Sequence, residues 1–155
     1  MNKILIIGTQ PPCPRCKLLT NVVSEKVKEF GIKAEVIHLS YTDEESKAFA
    51  KSIGLEVGTA KEVAKRLGTV IDTGKISSLG RNDALPANSE YNDYNSNNWS
   101  FELDEFLRPF ENKALEVGIL MTPVLIINNE VKHQGSIPRI NKVEEWLTEL
   151  KNSQF

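Results

Sequence analysis

The feature that most restricts this chain is a pair of cysteines three residues apart, set where one pattern gives way to another. A short apolar run, Ile4-Leu5-Ile6-Ile7-Gly8, precedes Pro11-Pro12-Cys13-Pro14-Arg15-Cys16, and an amphipathic run begins at Lys17. The branched apolar run reads as a buried strand. Leu18, Leu19, Val22, Val23, Val27 and Phe30 then recur at helical spacing as far as Gly31, a natural residue just past a helix end. A Cys-x-x-Cys pair between a strand and a helix reads as a thiol–disulfide redox site. Cys13 is then the helix N-cap, with Cys16 one turn later on nearly the same side, so the two sulfurs meet within disulfide range. The positive end of the helix dipole favours the thiolate of Cys13. Pro14 takes the first helical position, where its missing N–H costs nothing.

Two blander readings compete. A structural zinc site needs four ligands, and beyond the cysteines the chain offers His38, His133 and carboxylates. It has no second Cys pair and no His-x-x-x-His spacing. Inert core cysteines fit poorly with the flanking prolines and Arg15, which mark a turn and an electropositive surround.

At 155 residues the chain is long enough for one domain with a real core. Its net charge of −2 provides no electrostatic case for nucleic acid or anionic membranes. No apolar run approaches the ~18 residues of a membrane span. The apolar stretch after Lys3 lacks the length and cleavage site of a signal peptide. The expected location is therefore cytoplasmic, where a lone Cys pair is catalytic or metal-binding rather than a staple.

Along the rest of the chain, residues 34–39 read as a second strand, parallel to the first across a βαβ unit. Thr42-Asp43-Glu44-Glu45 and Thr59-Ala60-Lys61-Glu62 carry capping-box signatures, which predict two short helices forming a hairpin through Gly54 to Gly58. Residues 69–80 give only a weak strand or loop around Thr69-Val70-Ile71. Residues 82–98 contain six Asn and read as a surface loop, with Tyr91, Tyr94 and Trp99 pinning it to the body or facing a partner. A helix follows over 101–117, kinked or split at Pro109. Ile119-Leu120-Met121-Thr122-Pro123 leads into Val124-Leu125-Ile126-Ile127, and Asn128-Asn129 turns a β-hairpin that closes at Gly135. The last helix starts between Pro138 and Asn141, with Ile140, Val143, Trp146, Leu147 and Leu150 as its buried stripe. His38 reads as a packed or hydrogen-bonded imidazole rather than a base, and His133 as facing solvent.

This order of elements, with Cys13-Pro14-Arg15-Cys16 directly after the first strand and Thr122-Pro123 before the hairpin, resembles the thioredoxin fold. Its nearest likeness is to the small redox-active disulfide proteins, a glutaredoxin-sized branch. The likeness covers about residues 1–40 and 105–151, and Gly118 to Asn128 matches that family's cis-proline region. It implies one α/β domain over residues 1–155, with a four-stranded mixed sheet flanked by helices. Strand 1 is central beside strand 2, and the hairpin lies antiparallel on the other side. A mostly helical or loop insertion occupies 41–104. The Thr122–Pro123 bond is expected to be cis, facing Cys13, with the Thr122 backbone offered to an extended substrate. The chain departs from thioredoxins proper in having Pro12 before the pair and Pro14-Arg15 within it. Gly135-Ser136-Ile137 stands where glutathione-binding members carry Gly-Gly then Asp. The helical insert and the Cys-Pro start are also similar to the periplasmic disulfide oxidases, but no export signal accompanies them.

The expected activity is thiol–disulfide exchange. Cys13 attacks a disulfide and Cys16 resolves the mixed disulfide. Pro14 and Arg15, with a contribution from Lys17, tune the Cys13 pKa. Thr122, Pro123 and Pro12 contact the substrate, and Met121, beside the cis-proline position, packs there or lines the substrate groove. No cofactor or metal is expected. The expected partners are protein or small-molecule disulfides and a reductase as electron donor, with no nucleic acid or membrane, and the chain acts as a monomer. The alternative is a redox-sensing or metal-binding interaction module that uses the insert as its partner surface.

Overall fold

The computed structural model describes residues 2–9, 13–80, 90, 91, 94 and 100–153, with only the backbone of Pro14 and Gly80. Its central sheet has the strand order β2-β1-β5-β6, built from Asn2–Gly8 (β1), Ala34–Ser40 (β2), Val124–Ile127 (β5) and Glu130–Gln134 (β6). β2 runs parallel to β1 and β5 antiparallel to it, as the likeness implied. Asn128 and Asn129, with φ of 47° and 68°, turn β5 into β6. Both residues have the positive φ that a tight two-residue hairpin loop requires.

Each face of the sheet has its own apolar layer. Ile4 and Ile6 of β1 lie with Leu19 and Val23 of α1 (Pro14–Glu29) and with Val143 and Leu147 of α6 (Ile140–Asn152). Leu5 and Ile7 point the opposite way, to Val124, Ile126, Leu120 and Phe49. Strand side chains alternate between faces, so a strand covered on both sides carries the unbroken apolar run seen at residues 4–7.

The middle of the chain differs from its expected form in three places. First, the two short helices, α2 (Glu44–Ser52) and α3 (Ala60–Arg66), are joined by a strand rather than a simple hairpin turn. Glu56–Gly58 (β3) pairs in parallel with Ile119–Met121 (β4), a strand of its own cut off from β5 by Thr122-Pro123. Strands of three residues are too short to show a period, and their partner lies far along the sequence. Second, Thr73–Gly80 is a helix (α4), where a strand or loop was expected. Its two glycines and two serines weaken any helix signal, yet Asp72 Oδ1 accepts the Lys75 N–H at 3.0 Å and caps its first turn. Third, Phe101–Ala114 (α5) is one helix with an exposed Pro109 inside it, and a 3-10 turn, Leu115–Val117, follows.

The two capping boxes also part company. At α3 the box forms, with the Thr59 N–H donating to Glu62 Oε2 at 2.8 Å. At α2 the N-cap is Asp43, not Thr42; Asp43 Oδ2 instead accepts the Ser40 N–H at 3.0 Å, tying the helix start back to β2. At α6 the N-cap is Arg139, and Glu144 pairs with Lys26 of α1 at 3.2 Å. Among the described residues no helix is long and apolar enough to cross a membrane.

Candidate functional site

Cys13 is the N-cap of α1, in extended conformation, and Pro14 is the first helical residue. The Cys13 N–H donates to Thr9 Oγ1 at 2.9 Å, which fixes the turn out of β1. The first turn of α1 then brings the Cys16 N–H to 3.4 Å from Cys13 Sγ and the two sulfurs to 2.8 Å. The thiols are unequal. Cys13 is half-buried, whereas Cys16 is fully enclosed beneath it.

This inequality separates their acidities. The Cys13 thiol is held down at about 6, first by the hydrogen bond from the Cys16 thiol, and further by the Cys16 N–H, the Arg15 charge and Thr9, against the opposing effect of burial. The proton removed from one sulfur is shared by the other: Cys16 is pushed well above the ordinary thiol range by the same bond to Cys13, and by burial. At neutral pH the arrangement therefore presents a thiolate at Cys13 and a proton-bearing thiol at Cys16.

Arg15, expected to make the surround of Cys13 electropositive, does lower the Cys13 pKa, and it does so from a buried position. It is 7% exposed, and its Nε donates to Asp104 Oδ1 of α5 at 2.9 Å while Nη2 donates to the Gly135 carbonyl. Asp104 Oδ2 in turn accepts the Ile137 N–H at 2.9 Å. The guanidinium thus locks α1 to α5 and to the turn after β6, and its pull on Cys13 is secondary to that of Cys16. Asp104 escaped the sequence reading. Its signal was an acid at helical spacing among Leu103, Leu107 and Ser100, on the buried face of α5. Lys17 is exposed and is not among the groups that move the Cys13 pKa.

A cleft of about 690 Å³ opens beside Cys13, lined by Thr9, Arg15, Tyr41, Thr59, Ile76 and Thr122, among others. The Thr122–Pro123 bond is cis. The Thr122 N–H is taken by the Gly58 carbonyl at 2.9 Å, so β3 holds the edge of the cleft in place. The walls include residues of α3 and α4, both from the stretch between β2 and α5. Met121, expected against the substrate, is instead fully buried in the core, with its N–H donating to Gln134 Oε1 at 2.9 Å. Ile119 and Met121 of β4 belong to the apolar layer that holds Leu103 and Leu107 of α5, whereas Leu120 joins the opposite layer. Pro12, Trp99 and the Asn-rich run except Glu90, Tyr91 and Tyr94 lie outside the described residues.

Tyr91 is buried, and its hydroxyl donates to the Pro138 carbonyl at 2.9 Å, so it pins its segment to the body. His133 does not face solvent as expected. It is half-buried, its Nε2 lies 2.9 Å from Ser136 Oγ, and its ring lies 6.4 Å from that of Trp146. His38 is half-buried on β2; of the two roles anticipated, packed or hydrogen-bonded, the second is not seen at its enclosed Nε2, which has no hydrogen-bond partner among the described residues. Among the described residues, no group of three or more His, Cys, Asp or Glu side chains is gathered as metal ligands are.

A family model described as a thioredoxin domain matches residues 94–148. The match runs from the lead into α5, through β4 and the hairpin, into α6; Cys13 and Cys16 lie outside it. No curated protein matches the chain. The sheet order, the Cys pair at the start of α1, the Thr122-Pro123 segment beside it and this match together give the chain a thioredoxin-like fold.

Proposed function

We propose that this protein is a thiol–disulfide oxidoreductase. The observation that carries the reading is the unequal pair: a half-exposed, acidic Cys13 thiol 2.8 Å from an enclosed, weakly acidic Cys16. The Cys13 thiolate attacks one sulfur of a substrate disulfide, forming a mixed disulfide and expelling the other sulfur as thiolate. The Cys16 sulfur then attacks Cys13 Sγ, loses its proton, and expels the second substrate thiolate. Two electrons have passed to the substrate, which leaves as a dithiol, and Cys13–Cys16 is now a disulfide. Thr122, which lines the cleft, and Pro123 next to it in the chain position an extended protein or small-molecule disulfide. A reductase of a reducing, cytoplasmic compartment returns the electrons to a monomeric enzyme.

The test is turnover of a protein disulfide by wild type and two variants. Cys13→Ser is expected to abolish exchange, and Cys16→Ser to accumulate a mixed disulfide visible as a mass shift. Full multiple-turnover activity of Cys16→Ser, with no trapped species, would rule out the dithiol mechanism.

A further inference from the structure

The proposed reaction has a proton that nothing so far removes. When Cys16 attacks the mixed disulfide, Cys13 Sγ is bonded to substrate and is no longer a thiolate able to share that proton. Cys16 is fully enclosed, and its thiol is held in the protonated form. Only the thiolate is an effective nucleophile, so resolution requires a base within the enclosed space.

The structure provides one candidate in that space. β2 runs beside β1 with Ile6 opposite His38 and Gly8 opposite Ser40. The His38 side chain therefore lies on the face covered by α1. A Cβ built on Gly8 would sit 2.3 Å from Cys16 Sγ and 3.1 Å from His38 Nε2. The sulfur and the nitrogen are thus no farther apart than those two distances together, within reach of each other directly or through one water. Only the missing side chain of Gly8 leaves the gap between them open. His38 Nε2 is enclosed and makes no hydrogen bond to any described residue. Buried polar nitrogens are seldom left unpaired without a use.

We infer that His38 is the general base that takes the Cys16 proton during resolution. This rests on the oxidoreductase reading above. In the Nδ1–H tautomer, Nε2 is an acceptor. As the Cys16 Sγ–Cys13 Sγ bond forms, the Cys16 S–H proton passes to Nε2. The Cys13–substrate S–S bond breaks, and its electron pair leaves on the substrate thiolate. The imidazolium, on a half-exposed side chain, then releases its proton to water. The ionisable groups that bear on the ring, among the described residues, are Cys16 from α1, across the gap at Gly8, and Asp43 from the start of α2; β1 presents Ile6 and Gly8 on this face. Burial lowers the imidazole pKa and Asp43 opposes that, so the ring is neutral and able to accept at neutral pH.

The experiment is stopped-flow reaction of the reduced protein with a nitrobenzoate disulfide, whose thiolate is coloured. Attack by Cys13 releases a first equivalent and attack by Cys16 a second. In His38→Gln the first phase is expected to stay at the wild-type rate, which also reports a folded site. The second is expected to slow by about 100-fold or more, the usual contribution of a general base. Its pH profile loses the imidazole step and rises only with hydroxide. In His38→Ala, imidazole added to the buffer restores the second phase. A second phase unchanged in rate and pH profile in both variants overturns the inference and leaves the oxidoreductase reading standing. A wild-type protein that releases no first equivalent overturns both.

Discussion

The Cys13–Cys16 turn and the wall around it are built in opposite ways. The turn is local: Thr9, Cys13, Pro14 and Cys16 supply its geometry within eight consecutive residues, through a cap, a first-turn proline and a sulfur–sulfur contact. The wall is assembled from afar. Asp104 meets Arg15 across 89 positions of sequence, and Gly58 of β3 holds Thr122 of the cis-proline segment. The local part decides which thiol is acidic. The distant part decides what stands beside it and how firmly. Much of the stretch from α2 to α4 therefore serves as scaffold and rim of the cleft.

The comparison is broken most severely at the buried ion pair. Asp104→Ala leaves the Arg15 guanidinium enclosed without its carboxylate, and the expected loss is about 3–5 kcal/mol of folding stability. Urea unfolding measures it. Adding Arg15→Met should recover most of that loss, because two apolar groups need no charge partner. A single variant that unfolds at the wild-type midpoint would mean that the wall does not brace the turn.

The local side is sharpened by removing the sulfur that lowers the Cys13 pKa. Cys16→Ala deletes the strongest donor to the thiolate, and a hydrogen bond to a charged group is worth about 1.5–3 kcal/mol, or about one to two pH units. The midpoint of Cys13 alkylation against pH should therefore rise from about 6 by that amount. The same depression has a stability consequence. The Cys13 pKa is lower in the folded protein, so its contribution is fully present above the ordinary thiol value of 9.0 and is lost as pH falls towards about 6. Cys16 acts in the other direction: its raised folded pKa makes folding less favourable above 9.0, where an unfolded thiol would ionise. The urea midpoint of the reduced protein should therefore climb between pH 6 and pH 8 more steeply than that of Cys13→Ser. Parallel slopes would refute the assignment.

The smallest effect lies at the rim of the cleft. Thr59→Ala removes half of the capping box of α3, with an expected cost of about 1 kcal/mol. It should leave Cys13 alkylation unchanged, because Thr59 does not bear on the thiol. A changed alkylation midpoint would show that the wall does reach into the electrostatics of the turn.

What was legible in the sequence follows the same division. The buried strand β1, the N-cap at Cys13, the Asn128-Asn129 turn and the stripe of α6 all depend on neighbours within a few residues. Local periodicity and cap chemistry therefore sufficed to place them. β3 and β4 did not show themselves, because three-residue strands exist only by virtue of each other. α4 was hidden by its glycines, and its support comes from Ile76 and Leu79 against the core. Met121 was read from its place beside Thr122-Pro123, yet the core on its strand claimed the side chain.

By itself the sequence determined the order of the main elements and the place of the pair at a strand-to-helix turn, since an apolar run, a proline-bounded Cys-x-x-Cys and a helical stripe are each short-range constraints. Only the tertiary structure decided what surrounds that pair: the enclosure of Cys16, the partner of Arg15, the burial of Met121, and the nitrogen of His38 facing the space left open at Gly8. Each of these depends on a contact between segments far apart in the chain, and the free energy of such a contact is set by burial and complementarity that appear only once the layers close.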